Sequence, residues 1–347
     1  MSRIAVNARV MNAPLTGTQR YTTQLLARWK GSVDVIAPQR RVGGVSGHLW
    51  EQIILPSKLG KRLLFSPSNT GPVQEQNQVV TIHDMAVFDC PETFSPRFAA
   101  WYRFLLPKLI KRASRIITVS NFIKERILAH TDVSSHKIVV IPNGVGPDFC
   151  PEAISGLESV VQSLKLPTRS YILVVGSVEL RKNLTRLFEA WLKVQDSLPN
   201  DLWLVVAGAR GNSRVFAGSQ FDNLPQRVYF AGHVDDFLLP ALFAGAMIFT
   251  YVSYYEGFGL PPLEAMASGT PVLVGNRSSL PEVVGDAGLQ VDPFNVNEIA
   301  DGIHGLVQNS DLRLSFQEKG LSRSKMFSWD ETARKTWEVL QLGASAV

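Results

Sequence analysis

The sequence has little cysteine and no long apolar run, and each shortage excludes a class of protein. Only Cys90 and Cys150 occur among 347 residues, too few for a disulfide framework and typical of reduced thiols in a cytosolic protein. No stretch reaches the roughly 18 uninterrupted apolar residues of a membrane-spanning helix. The N-terminal residues MSRIAVNARV lack the apolar core of a signal peptide. We therefore expect a cytoplasmic protein.

Acidic residues are scarce in the first half of the chain. Residues 1–165 contain 20 lysines and arginines against 11 aspartates and glutamates, whereas residues 166–347 contain 15 against 19. A basic half can face nucleic acid, anionic lipid or a phosphorylated acceptor, or it can be a solvated surface without a partner. No nucleic-acid recognition motif accompanies the charge, so a nucleic-acid partner is not expected.

The length and the pattern of apolar residues predict two α/β domains. A chain of 347 residues exceeds the size at which one core usually keeps growing. Short apolar runs alternate with amphipathic stretches, which predicts parallel sheets wrapped by helices, and the pattern restarts after Pro151. We predict Rossmann-like, doubly wound domains at residues 1–160 and 161–328, a linker within 146–170, and a C-terminal helix at 329–347 that packs on the first domain. Ligands of such sheets bind at the carboxyl ends of the strands, which predicts an active site in a cleft between the domains.

Two carboxylates flank a glycine- and proline-rich turn in the segment SYYEGFGLPPLEAMASGTP, residues 253–271. A strand ends near Tyr251 and a helix begins near the prolines, which suit the first helical turn. Glycines let the backbone approach a ligand, and the N–H groups of a helix start bind anions. Glu256 precedes this anion site, and Glu264 lies about one turn into the helix, where a carboxylate suits the vicinal hydroxyls of a ribose. The alternative is a solvated turn with two surface glutamates.

Arg181, Lys182 and Asn183 lie between a strand end and a helix. Cations at a helix start oppose the helix dipole, so their presence favours binding of an anion such as a diphosphate over a purely structural role. Asp235 and Asp236 form a second polar pair. Adjacent carboxylates suit Mg²⁺, but we predict instead that they cap a helix and that no metal is bound.

The segment WYRFLLPKLIKR, residues 101–112, is basic, aromatic and amphipathic. Such a segment can lie peripherally on an anionic membrane surface. The alternative is an ordinary surface helix whose apolar side packs inward.

These motifs together resemble the retaining glycosyltransferases of family 4, which have the GT-B fold. The resemblance rests on the E-x7-E spacing of Glu256 and Glu264, on His83–Asp84, and on TVSNF (118–122), IPNGV (141–145), VGSVELRKNL (175–184), FAGHVDD (230–236) and SSLPEVVGDAGLQVDP (278–293). It covers nearly the whole chain, and it is strongest to bacterial mannosyl- and rhamnosyltransferases of surface polysaccharide assembly, including lipopolysaccharide.

The resemblance implies a role for each candidate residue. It assigns Arg181 and Lys182 to the leaving diphosphate, Glu256 and His83 to the transferred sugar, and Glu264 to the ribose. Further donor contacts are implied for Gly17, Ser177, Val234, Gly257, Phe258, Gly259 and Leu260. Two of these positions depart from the family pattern: some relatives carry an arginine where Ser177 stands, and TGTQ at residues 16–19 is less rich in glycine than the usual loop.

The implied reaction moves a hexose from a nucleotide-sugar to a glycan or a lipid-linked acceptor with retention of configuration. GDP-mannose is the first choice of donor, and GDP-rhamnose, dTDP-rhamnose or a UDP-sugar are the alternatives. No cofactor or metal is implied. An epimerase or a phosphorylase of the same fold and a non-catalytic carbohydrate-binding protein are the alternatives from other classes. The acceptor site is expected in variable loops of the first domain, which include Gln39–His48.

Overall fold

The computed structural model describes residues 4–12, 17–40, 42–208 and 224–345. Contacts between Cα atoms divide the chain into two compact units. Unit 1 comprises Met1–Asp89, Arg97–Gly144 and Ser328–Val347, and unit 2 comprises Cys90–Pro96 and Val145–Phe327.

Unit 1 is built around a six-stranded parallel sheet. Its strands are β1 (Ile4–Asn7), β2 (Asp34–Ile36), β3 (Leu63–Ser66), β4 (Gln78–Ile82), β5 (Arg115–Thr118) and β6 (Ile138–Val140). Its first helices are α1 (Gly17–Arg28), α2 (Gly44–Leu49), α3 (Leu55–Ser57), α4 (Ala86–Asp89), α5 (Pro96–Arg112) and α6 (Asn121–His130). A π-helical turn, Trp50–Ile54, joins α2 to α3. All residues of β1, β3 and β4 are buried, as expected for a parallel sheet covered by helices.

Unit 2 has its own six-stranded parallel sheet. Its strands are β7 (Ser170–Val175), β8 (Leu202–Ala207), β9 (Val228–Gly232), β10 (Ile248–Tyr251), β11 (Val272–Gly275) and β12 (Leu289–Val291). Its helices are α7 (Leu157–Leu164), α8 (Leu184–Val194), α9 (Leu239–Ala244), α10 (Leu260–Ala267), α11 (Leu280–Val284), α12 (Val296–Gln308) and α13 (Ser310–Ser324). Apolar residues of β7 and β8 pack with α8 and α12 into one large core.

The strand order places a topological switch point in each sheet. In unit 2 the order is β12-β11-β10-β7-β8-β9, so the chain leaves β7 in one direction and later continues from β10 in the other. In unit 1 the order is β2-β1-β3-β4-β5-β6, and the reversal falls between β1 and β3. Ligands of doubly wound sheets bind outside the carboxyl ends of the strands at such points. The loops after β7 and β10, and after β1 and β3, are therefore the places where sites are expected.

Residues 145–160 belong to unit 2, although the first domain was predicted to extend to residue 160. The predicted linker, residues 146–170, contains a short 3₁₀ helix, Pro151–Gly156, and helix α7. Both pack on α9 of unit 2. The reason is apolar burial, because Val160 is 1% exposed and α7 is amphipathic.

The last helix, α14 (Trp329–Ser345), belongs to unit 1 and packs beside α1. Trp329 is 2% exposed, and the hydroxyl of Thr332 donates to the carbonyl oxygen of Pro142 at 2.7 Å. A Cβ atom at Gly144 would lie 2.1 Å from the backbone nitrogen of Trp329, so glycine is needed there for this close approach.

The predicted architecture of two parallel, doubly wound α/β sheets is confirmed. Across the described residues, no helix has both the length and the apolar character needed to cross a bilayer.

Candidate active site

The loop between β10 and α10 holds Glu256 at the carboxyl end of the second sheet. The N-cap of α10, Gly259, has a φ of +115°, in the left-handed region that favours glycine. A Cβ atom there would also lie 2.9 Å from Cδ2 of Leu280. Pro261 and Pro262 follow in the first helical turn, where a missing N–H breaks no hydrogen bond. The loop sequence thus fixes a sharp turn directly before a helix N-terminus.

Glu256 forms a buried ion pair with Lys182. The Nζ atom of Lys182 lies 2.7 Å from Oε1 of Glu256 and 2.5 Å from the hydroxyl of Tyr251. The hydroxyl of Ser253 donates to the same Oε1 at 2.6 Å. The side chains of Lys182 and Glu256 are 11% and 10% exposed, so their charges are shielded from water and held in fixed positions.

The surroundings of Glu256 keep its carboxyl group ionised. Burial raises the pKa, but the charges of Lys182 and Arg181 and the hydrogen bonds from Lys182 and Ser253 outweigh burial and hold the pKa below its ordinary value of 4.5. The pKa of Tyr251 moves well above its ordinary range, first because the phenol is buried and then because Glu256 is negative. At neutral pH the site therefore holds an ionised carboxylate and a protonated phenol.

Lys182 reaches this position through a tight turn after β7. The 3₁₀ turn Leu180–Lys182 ends at Asn183, whose φ is +60°. Nδ2 of Asn183 donates to the carbonyl oxygens of Val252 at 3.1 Å and Pro293 at 2.6 Å. The first hydrogen bond ties the turn after β7 to the loop after β10, its neighbour in the sheet, and the second ties it to the segment after β12.

Arg181 is positioned by a carboxylate of its own. Its Nε atom lies 2.8 Å from Oε2 of Glu179, a side chain that is 3% exposed. The carbonyl oxygen of Arg181 accepts a hydrogen bond from the N–H of Tyr254 at 3.1 Å, and Oγ of Ser253 lies 2.7 Å from the same oxygen. Two cations therefore emerge from one turn at the switch point of the sheet, each oriented by a buried glutamate.

Two serines hold the backbone of the glycine loop. Oγ of Ser278 accepts from the N–H of Glu256 at 3.0 Å. Oγ of Ser279 lies 2.9 Å from the carbonyl oxygen of Glu256 and 2.7 Å from that of Phe258. The ring of Phe258 meets Phe327 edge to face, with 5.8 Å between ring centroids. The loop is thus fixed by two serines from the segment before α11 and by Phe327, which follows α13.

The structure brings three predicted residues of unit 2, Arg181, Lys182 and Glu256, into one hydrogen-bonded network. The other predicted donor contacts of unit 2 follow strands at the same edge of the sheet: Ser177 after β7, Val234 after β9, Gly257, Phe258, Gly259 and Leu260 after β10, and Glu264 in α10. Ser177 is exposed, whereas Glu264 is only 4% exposed.

The predicted helix cap at Asp235 or Asp236 is wrong. Helix α9 begins at Leu239, and its N-cap is Leu238, which makes no side-chain cap. The chain first makes a turn in which the N–H of Leu238 donates to the carbonyl oxygen of Asp235 at 2.9 Å. Within the described ranges, no three His, Cys, Asp or Glu side chains are grouped to hold a metal ion.

His83 follows β4 in unit 1 and is held as a neutral ring. Its Nε2 lies 2.7 Å from the carbonyl oxygen of Pro67, and because a carbonyl only accepts, Nε2 carries the proton and Nδ1 presents a lone pair. The N–H of His83 donates to Oδ1 of Asn69 at 2.5 Å, and the ring contacts Tyr21 edge to face. Burial lowers the pKa of His83 more than the hydrogen bond to Pro67 and the charge of Asp84 raise it.

Gly17 is the first residue of α1. Thr16, which precedes it in the predicted glycine loop, lies outside the described residues, as does Arg41 in the predicted acceptor segment Gln39–His48.

A second buried carboxylate network, which the sequence did not indicate, lies at the switch point of unit 1. Glu51, in the π-helical turn, is fully buried. It accepts hydrogen bonds from Nδ2 of Asn7 at 2.7 Å and from the hydroxyl of Thr70, and Nε of Arg9 lies 3.4 Å from it. Asn7 ends β1 and Thr70 follows β3. One feature of the sequence could have indicated this network: Glu51 is an acid within the apolar segment LWEQIIL. A charged side chain in such a segment is buried only when it is paired.

Partners of the predicted cations were also missed. Glu179, Tyr251 and Ser253 orient Arg181 and Lys182. Glu179 stands two residues before Arg181. An acid so close to a predicted anion-binding arginine could have indicated that the two side chains pair. The site therefore contains two oriented cations and a helix N-terminus, which suit a diphosphate, and an ionised carboxylate, which suits a polyhydroxylated group attached to that diphosphate.

The sequence matches two family models. The model for glycosyl transferases group 1 matches residues 158–323, and the model for glycosyltransferase family 4 matches residues 73–149.

Similar proteins of named activity include the O-antigen chain mannosyltransferase B of Escherichia coli. The identity is 33% over 277 residues, which cover 78% of this chain and 72% of that protein. The O-antigen chain mannosyltransferase RfbU of Salmonella typhimurium is 30% identical over 76% of this chain and 70% of its own length.

Solved structures share the fold at low sequence identity. Anabaena Alr3699/HepE in complex with UDP and glucose has a TM-score of 0.75 at 16% identity, over 98% of this chain and 100% of that one. WaaG, a glycosyltransferase involved in lipopolysaccharide biosynthesis, has a TM-score of 0.75 at 18% identity, over 97% and 99% of the two chains. The predicted GT-B fold is thereby confirmed.

Proposed function

The chain belongs to the glycosyltransferase family defined by these group 1 and family 4 models, and we propose that it transfers mannose from GDP-mannose, with retention of configuration, in the assembly of a surface polysaccharide. The observation that carries the proposal is the network of Arg181, Lys182 and Glu256 at the switch point of unit 2. The names of the two O-antigen mannosyltransferases support mannose as the sugar.

Arg181 and Lys182 bind the leaving diphosphate in this proposal. The ammonium of Lys182 has three N–H donors, and its described hydrogen bonds to Glu256 and Tyr251 use two of them. The third is available to a phosphate oxygen, and the N-terminus of α10 adds a partial positive charge beside Gly257 and Gly259. These groups stabilise the charge that develops as the bond between the sugar and the phosphate breaks.

Glu256 accepts hydrogen bonds from sugar hydroxyls, since it is ionised and fixed. His83 offers the lone pair of Nδ1 to another hydroxyl of the sugar. Glu264 binds the ribose, and backbone groups around Val234 hold the base. Ser177 and Gly17 complete the contacts to the donor.

The acceptor, a glycan or a lipid-linked glycan, binds to unit 1 in this proposal. An acceptor hydroxyl forms the new bond to the anomeric carbon, the bond from that carbon to the phosphate oxygen breaks, and the hydroxyl proton passes to the departing diphosphate. Because Arg181 and Lys182 supply positive charge at that diphosphate, we propose that the reaction needs no metal, and a chelator should leave the rate unchanged. A lipid-linked acceptor places the enzyme peripherally at the inner face of a membrane.

The test is to incubate the protein with GDP-mannose, GDP-rhamnose, dTDP-rhamnose and UDP-sugars, and to measure which nucleotide is released. Release of GDP from GDP-mannose, abolished in Lys182→Ala, is the expected result. Glu264→Ala should weaken donor binding in calorimetry, and unchanged affinity would remove its ribose role. If none of the nucleotides binds, the protein is not a nucleotide-sugar transferase.

A further inference from the structure

The loop after β3 contacts His83 at two atoms. The carbonyl oxygen of Pro67 accepts from Nε2 of the His83 ring at 2.7 Å, and Oδ1 of Asn69 accepts from the His83 N–H at 2.5 Å. Asn69 has a φ of +57°, in the left-handed region that asparagine adopts more readily than most residues. Its own N–H donates to the carbonyl oxygen of Thr81 at 3.0 Å. The position of this loop therefore determines the orientation of the His83 ring and which ring nitrogen carries the proton.

Glu51, in the π-helical turn, holds the part of this loop nearest His83. It is fully buried, and Oε2 accepts a hydrogen bond from the hydroxyl of Thr70, which directly follows Asn69 and is 3% exposed. Its Oε1 accepts from Nδ2 of Asn7 at 2.7 Å. A carboxylate can accept at both oxygens, whereas a glutamine at this position would turn its amide NH₂ group toward one of the two donors. The chemistry of the contact therefore requires an acid.

Gln52, the next residue of the turn, holds the following part of the same loop. Its Nε2 donates to the carbonyl oxygen of Gly71 at 2.8 Å, and its Oε1 accepts from the N–H of Val73 at 2.8 Å. The amide of Gln52 thus binds main-chain groups through both its donor and its acceptor. A Cβ atom at Gly71 would lie 2.7 Å from Oγ of Ser66, so the loop also packs closely on the end of β3.

The π-helical geometry explains how two consecutive side chains reach one loop. The N–H of Leu55 donates to the carbonyl oxygen of Trp50, five residues earlier, which makes the turn wider than an α-helical one. Consecutive side chains of an α-helix diverge by about 100°, and a wider turn reduces this angle. Glu51 and Gln52 can therefore both face residues 70–73. Such turns are rare in helices and are frequent at functional sites.

We propose that Glu51 and Gln52 are positioning residues for the transfer reaction, because they hold the loop after β3 in the place from which it orients His83. The carbonyl oxygen of Pro67 then keeps the proton on Nε2, and the lone pair of Nδ1 is directed to a hydroxyl of the transferred sugar. The inference rests on the proposed function, in which His83 contacts that sugar. Glu51 is fully buried, so it acts on the sugar only through the loop. A ring oriented in advance need not be ordered when the donor binds.

The first measurement is the tautomer of His83 in the full chain, without any nucleotide-sugar. Nitrogen NMR of protein with isotope-labelled histidine distinguishes the two tautomers, and His83→Asn identifies the signal. Well above the ordinary histidine pKa of 6.5, the unaltered protein should contain only the Nε2–H tautomer. Thr70→Val removes the hydroxyl that Glu51 accepts from, and Gln52→Met removes both contacts of that amide. Each variant should show a mixture of the two tautomers.

The second measurement is nucleotide release by the same variants. Thr70→Val and Gln52→Met should each lower kcat/KM by about 10-fold to 100-fold, because a small misplacement of a contact slows the reaction without removing the contact group. Thr70→Ser keeps a hydroxyl and should resemble the unaltered protein in both measurements. In every variant Nε2 of Gln78 still donates to the carbonyl oxygens of Pro72 and Glu75, each at 2.7 Å. The variants should therefore fold, which circular dichroism verifies.

Matched controls remove a hydroxyl and an amide elsewhere in unit 1. Thr131→Val removes a hydrogen bond to the carbonyl oxygen of Ile127 at 2.7 Å, and Gln24→Met removes one from Arg28 at 2.7 Å. Both controls should leave the tautomer of His83 and kcat/KM unchanged.

The positioning role is overturned if the unaltered protein already contains both tautomers of His83, or if test and control variants change the tautomer equally. It is also overturned if Thr70→Val and Gln52→Met keep the tautomer or the full kcat/KM of an active unaltered protein. If the unaltered protein releases no nucleotide while the two variants change the tautomer, the proposed transferase activity fails and the hold of the loop on His83 is retained. The two failures are therefore distinguishable.

Discussion

In the proposed function, Lys182 has two roles: its ammonium binds the diphosphate, and the same ammonium neutralises the buried carboxylate of Glu256. Removing one member of a buried pair leaves the other charge without compensation, whereas removing both can be nearly neutral. The two roles can therefore be separated by comparing single and double substitutions at Lys182 and Glu256.

Lys182→Met should lower kcat/KM by about 100-fold to 1000-fold and destabilise the fold by about 3–5 kcal/mol. Adding Glu256→Gln to Lys182→Met should restore much of the stability without restoring activity, because the uncompensated charge is gone but the diphosphate contact is not rebuilt. Nucleotide release and urea unfolding measure the two effects. Lys319→Met, which breaks an exposed ion pair with Asp286, is the control and should change neither. Recovery of activity in the double variant would contradict the role of Lys182.

The lowered pKa of Glu256 makes its stabilising effect depend on pH. Because the pKa in the folded protein lies below the ordinary value of 4.5, the ionised carboxylate stabilises the fold fully above that value. The effect is lost as pH falls through the pKa of the folded state. The difference in free energy of unfolding between the unaltered protein and Glu256→Gln should therefore shrink from neutral pH to acidic pH in urea titrations.

His83 also loses stabilisation as pH falls, because burial lowers its pKa from 6.5. Both proteins contain His83, so its effect cancels in that difference. A constant difference across the acidic range would show that Glu256 has no lowered pKa.

The sequence indicates Arg181, Lys182 and Glu256 because each stands beside turn-forming residues in the chain. It could not pair them, since Lys182 and Glu256 are 74 residues apart in the chain and meet only when β7 and β10 align. Glu51 was missed for the same reason, because its partner Asn7 is 44 residues away.

At the scale of elements, a strand or a helix cap can be predicted from the sequence where one local signal decides the structure. Strand β7, Ser170–Val175, is one example, because its run of mainly aliphatic residues suits a strand buried on both faces. Ser120 is a second example: a serine directly before a helix suits the N-cap, and its hydroxyl accepts from the N–H of Ile123 at 3.2 Å. Residues 146–170 were predicted poorly, because α7 is short and depends on packing against α9.

At Gly259, which precedes α10, the backbone geometry requires the glycine that the sequence contains. Gly259→Ala should destabilise unit 2 by about 1–3 kcal/mol, because its φ is +115° and the added Cβ approaches Leu280. It should also weaken donor binding by moving the N-terminus of α10. Gly305→Ala in α12, where a Cβ meets nothing within 4 Å, should stabilise the protein by about 0.5–1 kcal/mol. Thermal unfolding measures the stability of the two variants. Equal changes in stability would contradict the backbone strain expected in Gly259→Ala.

At the scale of the whole molecule, chain order and spatial grouping differ. The last helix, α14, comes after all of unit 2 in the sequence but belongs to unit 1. Its buried face includes Trp329, whose ring lies 6.3 Å from that of Tyr21 in α1. Unit 1 is therefore completed only when the final segment of the chain is present.

Trp329→Ala should destabilise unit 1 by about 3–5 kcal/mol, a large part of the roughly 5–15 kcal/mol that stabilises a typical protein. Asp330→Ala, the next residue in the same helix, breaks only an ion pair in which Asp330 is 83% exposed and should cost less than about 1 kcal/mol.

Amide hydrogen exchange can assign the loss to one unit, because each sheet protects its own backbone N–H groups. In Trp329→Ala, exchange should accelerate in β3 and β4, on which α14 packs, and stay unchanged in β7 and β8 of unit 2. Equal acceleration in both sheets would mean that the two units unfold as one cooperative structure. Acceleration confined to β3 and β4 would establish that α14 stabilises unit 1 alone, as its buried contacts imply.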